Sequence, residues 1–223
     1  MWFMLYGLIA TDTSITKAII YWSNDMNILI IGEIGVGKST LLRELLGQSQ
    51  SQIFGFRTEK TDDPNTGLSK IYIHPALGKA MYSEINVVGK ATPQGAIGFP
   101  SVFNNLGTKY LKSIPDGSIV LMDELGYLES NAVDFCDAVL RTLDGPNQVF
   151  AAVRREETPF LQTVRGHRDA LVYRITTENR STLCKQILFD IQSCTMLHGS
   201  LFFGHSKDTE RINDIDNPCS PIL

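Results

Sequence analysis

The sequence lacks an excess of basic charge and a cysteine framework, and each absence argues against a class of function. Its 223 residues carry 20 lysines and arginines against 24 acidic residues, for a net charge of −4. This balance argues against duplex nucleic acid as the main partner. The four cysteines are widely spaced and form no C-x-x-C pair. Their spacing argues against a zinc ribbon or a disulfide framework and favours a reducing cytoplasm as the setting.

A run of apolar residues long enough to span a membrane is also missing. MWFMLYGLIA at the amino terminus is apolar, but a membrane helix needs about 20 such residues. No basic residues precede it, as they would in a signal peptide. The polar segment TDTSITK follows, and Met26 stands directly before the first predicted strand. We therefore expect no membrane attachment. The predicted organisation is an accessory extension or misassigned start (1–25), a core domain (26–194) and a flexible tail (195–223).

Strands and helices alternate along the predicted core. The predicted strands are ILII, IFGFRTEK, SKIYIHP, MYSEINVV, IVLM, QVFAAV and LVYRIT. The predicted helices are Lys38–Leu46, 102–114 with Ser101 as its cap, Ala132–Leu143, Thr158–Val164 and Arg180–Ile191. TDDPNTG predicts a hairpin turn, and the glycine-rich segment Gly89–Phe99 predicts a loop. This order predicts an α/β fold, a three-layer sandwich with a mainly parallel central sheet and helices on both faces.

The stretch GEIGVGKS fits G-x-x-x-x-G-K-[ST], the phosphate-binding loop. Glycines let successive backbone N–H groups point inward around an anion, and the following helix adds the positive end of its dipole. Lys38 is expected to reach the β- and γ-phosphates, and the Ser39 hydroxyl to ligate Mg²⁺. A chance match arises in about one per cent of such chains, but here a strand precedes the loop and a helix follows it. The predicted nucleotide-binding residues are Gly32, Glu33, Ile34, Gly35, Val36, Gly37, Lys38, Ser39 and Thr40.

Two acids, Asp123 and Glu124, follow the apolar strand IVLM directly. Ligands bind at the carboxyl ends of parallel strands, so both carboxylates are expected at the site. Asp123 is a candidate for the acid that holds the metal, and Glu124 for the base that orients or deprotonates water. Acids at a helix start are the alternative explanation. Glu129 and Glu59 are the next candidates for the base.

Together these motifs resemble those of a known family, the small nucleoside-triphosphatases. GEIGVGKSTLL and LMDELGYLE occur in order with GFRTEK and ITTENR, over Asn27–Ile191. The resemblance implies a P-loop NTPase fold, Mg²⁺ as cofactor, and hydrolysis of nucleoside triphosphates with broad base tolerance. The sequence departs from the family in two places. Glu33-Ile34 stand where members often carry a proline, and the segment Gly89–Leu106 differs from the usual pattern.

Arg154 is a third candidate for a catalytic role. Arg154 and Arg155 directly follow the predicted strand QVFAAV. If that strand neighbours the first one, as in the glutamate-bearing P-loop class, Arg154 lies near the γ-phosphate and acts like an arginine finger supplied in cis. A surface pair is the equal alternative. Arg57 and Glu59 are more simply explained as solvated strand residues, and Asn179 and Arg180 either flank the base or cap a helix. The cysteines at 136 and 184 are expected to pack in helices.

Two other functions use the same loop. A nucleotide or small-molecule kinase is one alternative, although no arginine cluster typical of a kinase lid occurs. A nucleotide-switched regulatory or assembly module with slow hydrolysis is the other. An L-S-G-G-Q signature and an N-K-x-D motif are both missing, which argues against a transporter ATPase and a G-domain. The sequence therefore favours a cytoplasmic, Mg²⁺-dependent nucleoside-triphosphatase with Lys38, Glu124 and Arg154 as catalytic residues and Ser39 and Asp123 at the metal.

Overall fold

The computed structural model describes residues 26–47, 49–62, 68–92 and 95–202. The predicted extension over 1–25 and most of the predicted tail lie outside this part of the chain. Eight strands form one sheet. They are β1 (Asn27–Ile31), β2 (Ile53–Asp62), β3 (Ser69–Pro75), β4 (Val87–Thr92), β5 (Gly95–Gly98), β6 (Ile119–Leu125), β7 (Gln148–Val153) and β8 (Ala170–Arg174).

The helices are α1 (Lys38–Leu46), α2 (Pro100–Val102), α3 (Thr108–Tyr110), α4 (Val133–Leu143), α5 (Pro159–Arg165) and α6 (Leu183–Phe202). A π-helical turn, Phe103–Gly107, joins α2 to α3, and a 3₁₀ turn, Glu84–Asn86, precedes β4. None of the helices in the described part of the chain is long and apolar enough to cross a membrane.

The strand order is β5-β4-β3-β2-β6-β7-β1-β8. Strands β2, β6, β7, β1 and β8 are parallel, whereas β3, β4 and β5 extend the sheet as an antiparallel meander. The hairpin predicted between the second and third strands is confirmed by the antiparallel pairing of β2 with β3. Strand β7 lies between β1 and β6, so the chain segments that follow these three strands meet at one edge of the sheet.

Two apolar clusters cover the two faces of the sheet, as expected for a sheet between helical layers. Alternate residues of each buried strand point to opposite faces. Leu29, Val120 and Ala151 thus pack with α4 and α5, while Ile28, Leu121 and Phe150 pack with α1 and α6. The predicted α/β sandwich with a mainly parallel sheet is confirmed.

The segment Gly89–Phe99, predicted as a loop, instead contains strand residues of β4 and β5. Its glycines permit close packing. A Cβ added to Gly98 would meet the Leu128 carbonyl oxygen at 2.1 Å, so only glycine fits there. The prediction read these glycines as turn formers and was wrong for this reason.

Three smaller predictions also need correction. MYSEINVV is not one strand, because the 3₁₀ turn Glu84–Asn86 precedes β4. Ser101 lies inside α2 rather than capping it, because Pro100 begins the helix, as its fixed φ favours. Helix α6 does not end near Ile191 but continues to Phe202, so the first residues of the predicted tail are helical.

Candidate active site

The phosphate-binding loop connects β1 to α1, as predicted. Gly35 and Gly37 have φ angles of 76° and 112°. These values lie in the left-handed region, which glycine enters without a steric penalty. Helix α1 then begins at Lys38, and its positive dipole end faces the loop. The loop therefore has the backbone form that a phosphate cradle requires.

Lys38 is buried within this loop, with only 4% of its surface exposed. Its ammonium group donates to the carbonyl oxygens of Gly32 and Glu33 at 3.0 and 2.9 Å. It also lies 3.2 Å from an Oε atom of Glu124. A buried ammonium group needs such partners. The side chain is thus held at the mouth of the loop.

Ser39 and Asp123 meet at the same edge of the sheet. The Ser39 hydroxyl donates to Asp123 Oδ1 at 2.8 Å. Burial raises the pKa of Asp123, and the hydrogen bond from Ser39 opposes that rise. A hydroxyl and a carboxylate oxygen are hard ligands of the kind that Mg²⁺ accepts beside water and phosphate oxygens. The described residues contain no group of three or more His, Cys, Asp or Glu side chains that could hold a metal ion.

Glu124 lies between two cations. One carboxylate oxygen faces Lys38, and the other lies 2.9 Å from Arg154 Nε. Its backbone N–H donates to the Thr58 hydroxyl at 3.2 Å. The carboxylate is therefore fixed beside the phosphate-binding loop, where the sequence predicted it.

Arg154 and Arg155 have different surroundings. Strand β7 neighbours β1, which is the condition under which Arg154 was predicted to approach the site. Arg154 is 18% exposed and pairs with Glu124, and its guanidinium carbon lies 5.6 Å from the centre of the Tyr127 ring. The contact with Glu124 is an ion pair without an aligned hydrogen bond. Arg155 is 45% exposed and pairs instead with Glu33 at the outer edge of the loop.

Comparison with known proteins identifies the family of the chain. A family model described as NTPase matches residues 27–188. The chain belongs to this NTPase family. It is similar to the nucleoside-triphosphatase THEP1 of Thermotoga sp. strain RQ2, with 25% identity over 73% of this chain and 94% of the relative. The human cancer-related nucleoside-triphosphatase is 24% identical, over 75% of this chain and 97% of the relative.

A solved structure supports the fold. The crystal structure of THEP1 from Aquifex aeolicus aligns with a TM-score of 0.58 and 24% identity, over 74% of this chain and 99% of that chain. The low identities make this chain a divergent member of the NTPase family.

A recess of about 300 Å³ lies on the outer side of the phosphate-binding loop in this NTPase-family chain. Residues 32–36 line it together with Arg155, Arg174 and Thr177. Asn179, predicted either to flank the base or to cap a helix, fastens the adjoining backbone. It accepts from the Thr176 N–H at 2.8 Å and donates to the Arg174 carbonyl at 2.9 Å. Thr40, the last of the predicted nucleotide-binding residues, lies in the first turn of α1 and is exposed.

Glu129 is the site residue whose burial the sequence did not indicate. It lies in the loop after β6 and is 2% exposed. One carboxylate oxygen accepts from the Gly126 N–H. Burial raises the pKa of Glu129 to about 7. The stretch LMDELGYLES carries no local signal of this burial, which comes from the packing of that loop against Arg154.

Proposed function

We propose that this chain is a Mg²⁺-dependent nucleoside-triphosphatase, which hydrolyses the terminal phosphoanhydride bond to give the diphosphate and inorganic phosphate. The observation that carries the proposal is the position of Glu124 between Lys38 and Arg154, beside the Ser39–Asp123 pair. A phosphate cradle, two side chains that could hold one metal ion, a base and a cation thus converge on one edge of the sheet. These are the parts that phosphoryl transfer to water needs.

Lys38 and the loop N–H groups bind the phosphates. The ammonium group of Lys38 contacts two loop carbonyls and Glu124. The β- and γ-phosphate oxygens replace some of these partners when the triphosphate binds, since charge-assisted contacts with phosphate are stronger. Residues 32–37 then contribute backbone donors around the phosphates.

Ser39 and Asp123 are the residues that would hold Mg²⁺. The ion supplies charge neutralisation at the β- and γ-phosphates when bound. The 2.8 Å contact between the two side chains keeps both oxygens at the carboxyl end of the sheet. Neutral Asp123 would be a poor ligand. Burial raises its pKa, while the hydrogen bond from Ser39 and the positive charge of a bound ion would both favour the ionised form.

Glu124 orients the attacking water and accepts its proton. The water oxygen bonds to the γ-phosphorus as the bond to the bridging oxygen breaks, and the diphosphate leaves with the electron pair. Arg154 holds Glu124 in place and supplies positive charge to the transferred group, as an arginine finger in cis would. Its ion pair with Glu124 is consistent with either contribution.

The test is phosphate release from a panel of triphosphates, with and without Mg²⁺, by the full chain. Release that needs Mg²⁺ and no added acceptor supports hydrolysis. Triphosphate consumption that needs an added acceptor, and that yields the diphosphate and a phosphorylated acceptor without free phosphate, would indicate a kinase instead. We also propose a cytoplasmic location, which fractionation of cells that express the full chain would test.

A further inference from the structure

A cleft lies next to Ser39 and Asp123, the two residues proposed to hold Mg²⁺. Its volume is about 680 Å³, and Ser39 and Asp123 line one end. From there it follows one side of α1 through Arg43 to Gly47. At 1.5 Å per residue, this stretch of helix is about 12 Å long. Arg57 and other residues at the end of β2 line the other side.

The cleft is open because the chain after β2 does not form a crossover helix. It returns as the antiparallel strand β3. On this face of the sheet, the described helices that contribute to the apolar cluster are α1 and α6. The sheet surface between α1 and the segment after β3 is therefore left as a cleft, lined by Leu121 and Ala76.

The side chains around the cleft suit an anion attached to an apolar body. The Arg43 Nε donates to the Ser39 carbonyl at 3.2 Å, and an Nη of Arg57 donates to the Gly78 carbonyl at 3.3 Å. The Glu59 carboxylate also lines the cleft and lies 3.7 Å from the Arg57 guanidinium group. A guanidinium group has five N–H donors, so both arginines keep donors beyond these contacts. Leu46 and Leu77 supply apolar surface along the same cleft.

Beyond the end formed by Ser39 and Asp123, the cleft extends away from the space that the triphosphate needs. The phosphates occupy the loop, and the recess of about 300 Å³ on the outer side of the loop is available to the rest of the nucleotide. The lining of the cleft shares none of the residues that line this recess. Its volume falls within the range of about 300–1,000 Å³ that is usual for small-ligand sites.

We propose that this cleft binds a second small ligand, a phosphomonoester with an apolar or aromatic body, while the triphosphate occupies the loop. The placement of the triphosphate rests on the proposed function. Two guanidinium groups match a phosphate dianion better than a single carboxylate. Because Ser39 and Asp123 form one end of the cleft, the bound ligand contacts these two residues and changes the rate of hydrolysis.

Calorimetry on the full chain tests the proposal. The protein is first saturated with Mg²⁺ and a non-hydrolysable triphosphate analogue, and AMP, GMP and CMP are then titrated as probes. At least one probe is expected to bind in a 1:1 ratio. Arg57→Gln should weaken this binding about ten-fold or more, as the loss of a charged hydrogen bond would. Arg141→Gln, which changes an exposed arginine on α4, is the matched control and should leave it unchanged.

Several outcomes would overturn the proposal. These are no binding of any probe at millimolar concentration, equal effects of the two substitutions, or displacement of the triphosphate analogue by the probe. Binding of malate without any phosphomonoester would also overturn it, because the head group would then be a carboxylate. If Arg57→Gln does not fold by circular dichroism, Arg43→Gln replaces it, with the same expected loss. Probe binding needs no turnover, so failure of the proposed hydrolysis would be seen separately as absent phosphate release.

Discussion

The Nε atom of Arg154 lies 2.9 Å from a carboxylate oxygen of Glu124, across the neighbouring strands β7 and β6. The other oxygen of the same carboxylate faces Lys38 at 3.2 Å. One acid therefore connects the phosphate-binding loop to an arginine that lies far away in the sequence.

Arg154→Ala should lower the turnover number by orders of magnitude, with a modest change in triphosphate affinity. The reason is that Arg154 both fixes Glu124 and supplies charge to the transferred phosphoryl group. Arg155→Ala is the matched control, because Arg155 is exposed and pairs with Glu33. Steady-state phosphate release beside calorimetric affinity measures both effects. Small and equal losses in the two variants would show that Arg154, like Arg155, is a surface residue without a catalytic role.

Asp123→Asn and Ser39→Ala should both raise the Mg²⁺ concentration needed for half-maximal turnover. Each substitution removes one oxygen of the pair that is proposed to hold the ion. A Mg²⁺ titration of phosphate release at saturating triphosphate measures this shift. Ser101→Ala, in the short helix α2, serves as the control. A Mg²⁺ requirement that stays the same in both variants would contradict the proposal that Ser39 and Asp123 hold the ion.

The pH dependence of stability should reveal Glu129. Burial raises the pKa of this carboxyl from 4.5 to about 7 in the folded protein. The folded state thus binds the proton more tightly, and stability that is fully present below about pH 4.5 is lost as the pH rises through about 7. The rise in pKa corresponds to about 3 kcal/mol.

Glu129→Gln removes this titration and keeps an oxygen that can accept from Gly126. Relative to the parent, the free energy of unfolding of this variant should rise by about 3 kcal/mol between pH 4.5 and 7.5. Urea unfolding across this range measures it. Asp137→Asn, at an exposed position on α4, is the control. A difference that stays flat with pH would show that Glu129 titrates normally.

Much of this site could be predicted from the sequence because its parts are local. The loop motif and the acids after IVLM each lie within a few residues of a buried strand. The prediction of Arg154 rather than Arg155 was conditional, because alternate residues face opposite ways and the neighbours of β7 had to be known. The burial of Glu129 and the strands within Gly89–Phe99 were missed for a similar reason. Both depend on contacts with distant segments, such as Gly98 against Leu128.

Deleting residues 1–25 should leave a folded and active protein. The start of the core is anchored by Asn27, whose side chain donates to the Leu143 carbonyl at 2.9 Å and accepts from the Val149 N–H at 3.1 Å. Thermal melting and phosphate release of the truncated and full chains should agree closely. A truncated protein that precipitates or melts far below the full chain would show that the extension packs on the core.

The role of Glu124 as the base is tested by Glu124→Gln. The amide is close to isosteric but lacks the charge and basicity that orient and deprotonate water. A general base contributes about a hundred- to ten-thousand-fold, which is about 3–5 kcal/mol of barrier. Glu156→Gln is the matched control, since Glu156 also approaches Arg154, at 3.5 Å, and is not assigned to the water.

The measurement is steady-state phosphate release beside calorimetric affinity for the Mg²⁺–triphosphate complex, in both variants and the parent. Glu124→Gln is expected to bind the complex about as well as the parent and to lose at least about a hundred-fold in turnover, whereas Glu156→Gln should lose little. Retention of more than about a third of parental turnover by Glu124→Gln, far above the range for a lost base, would contradict the account and move the search for the base to Glu129 or Glu59.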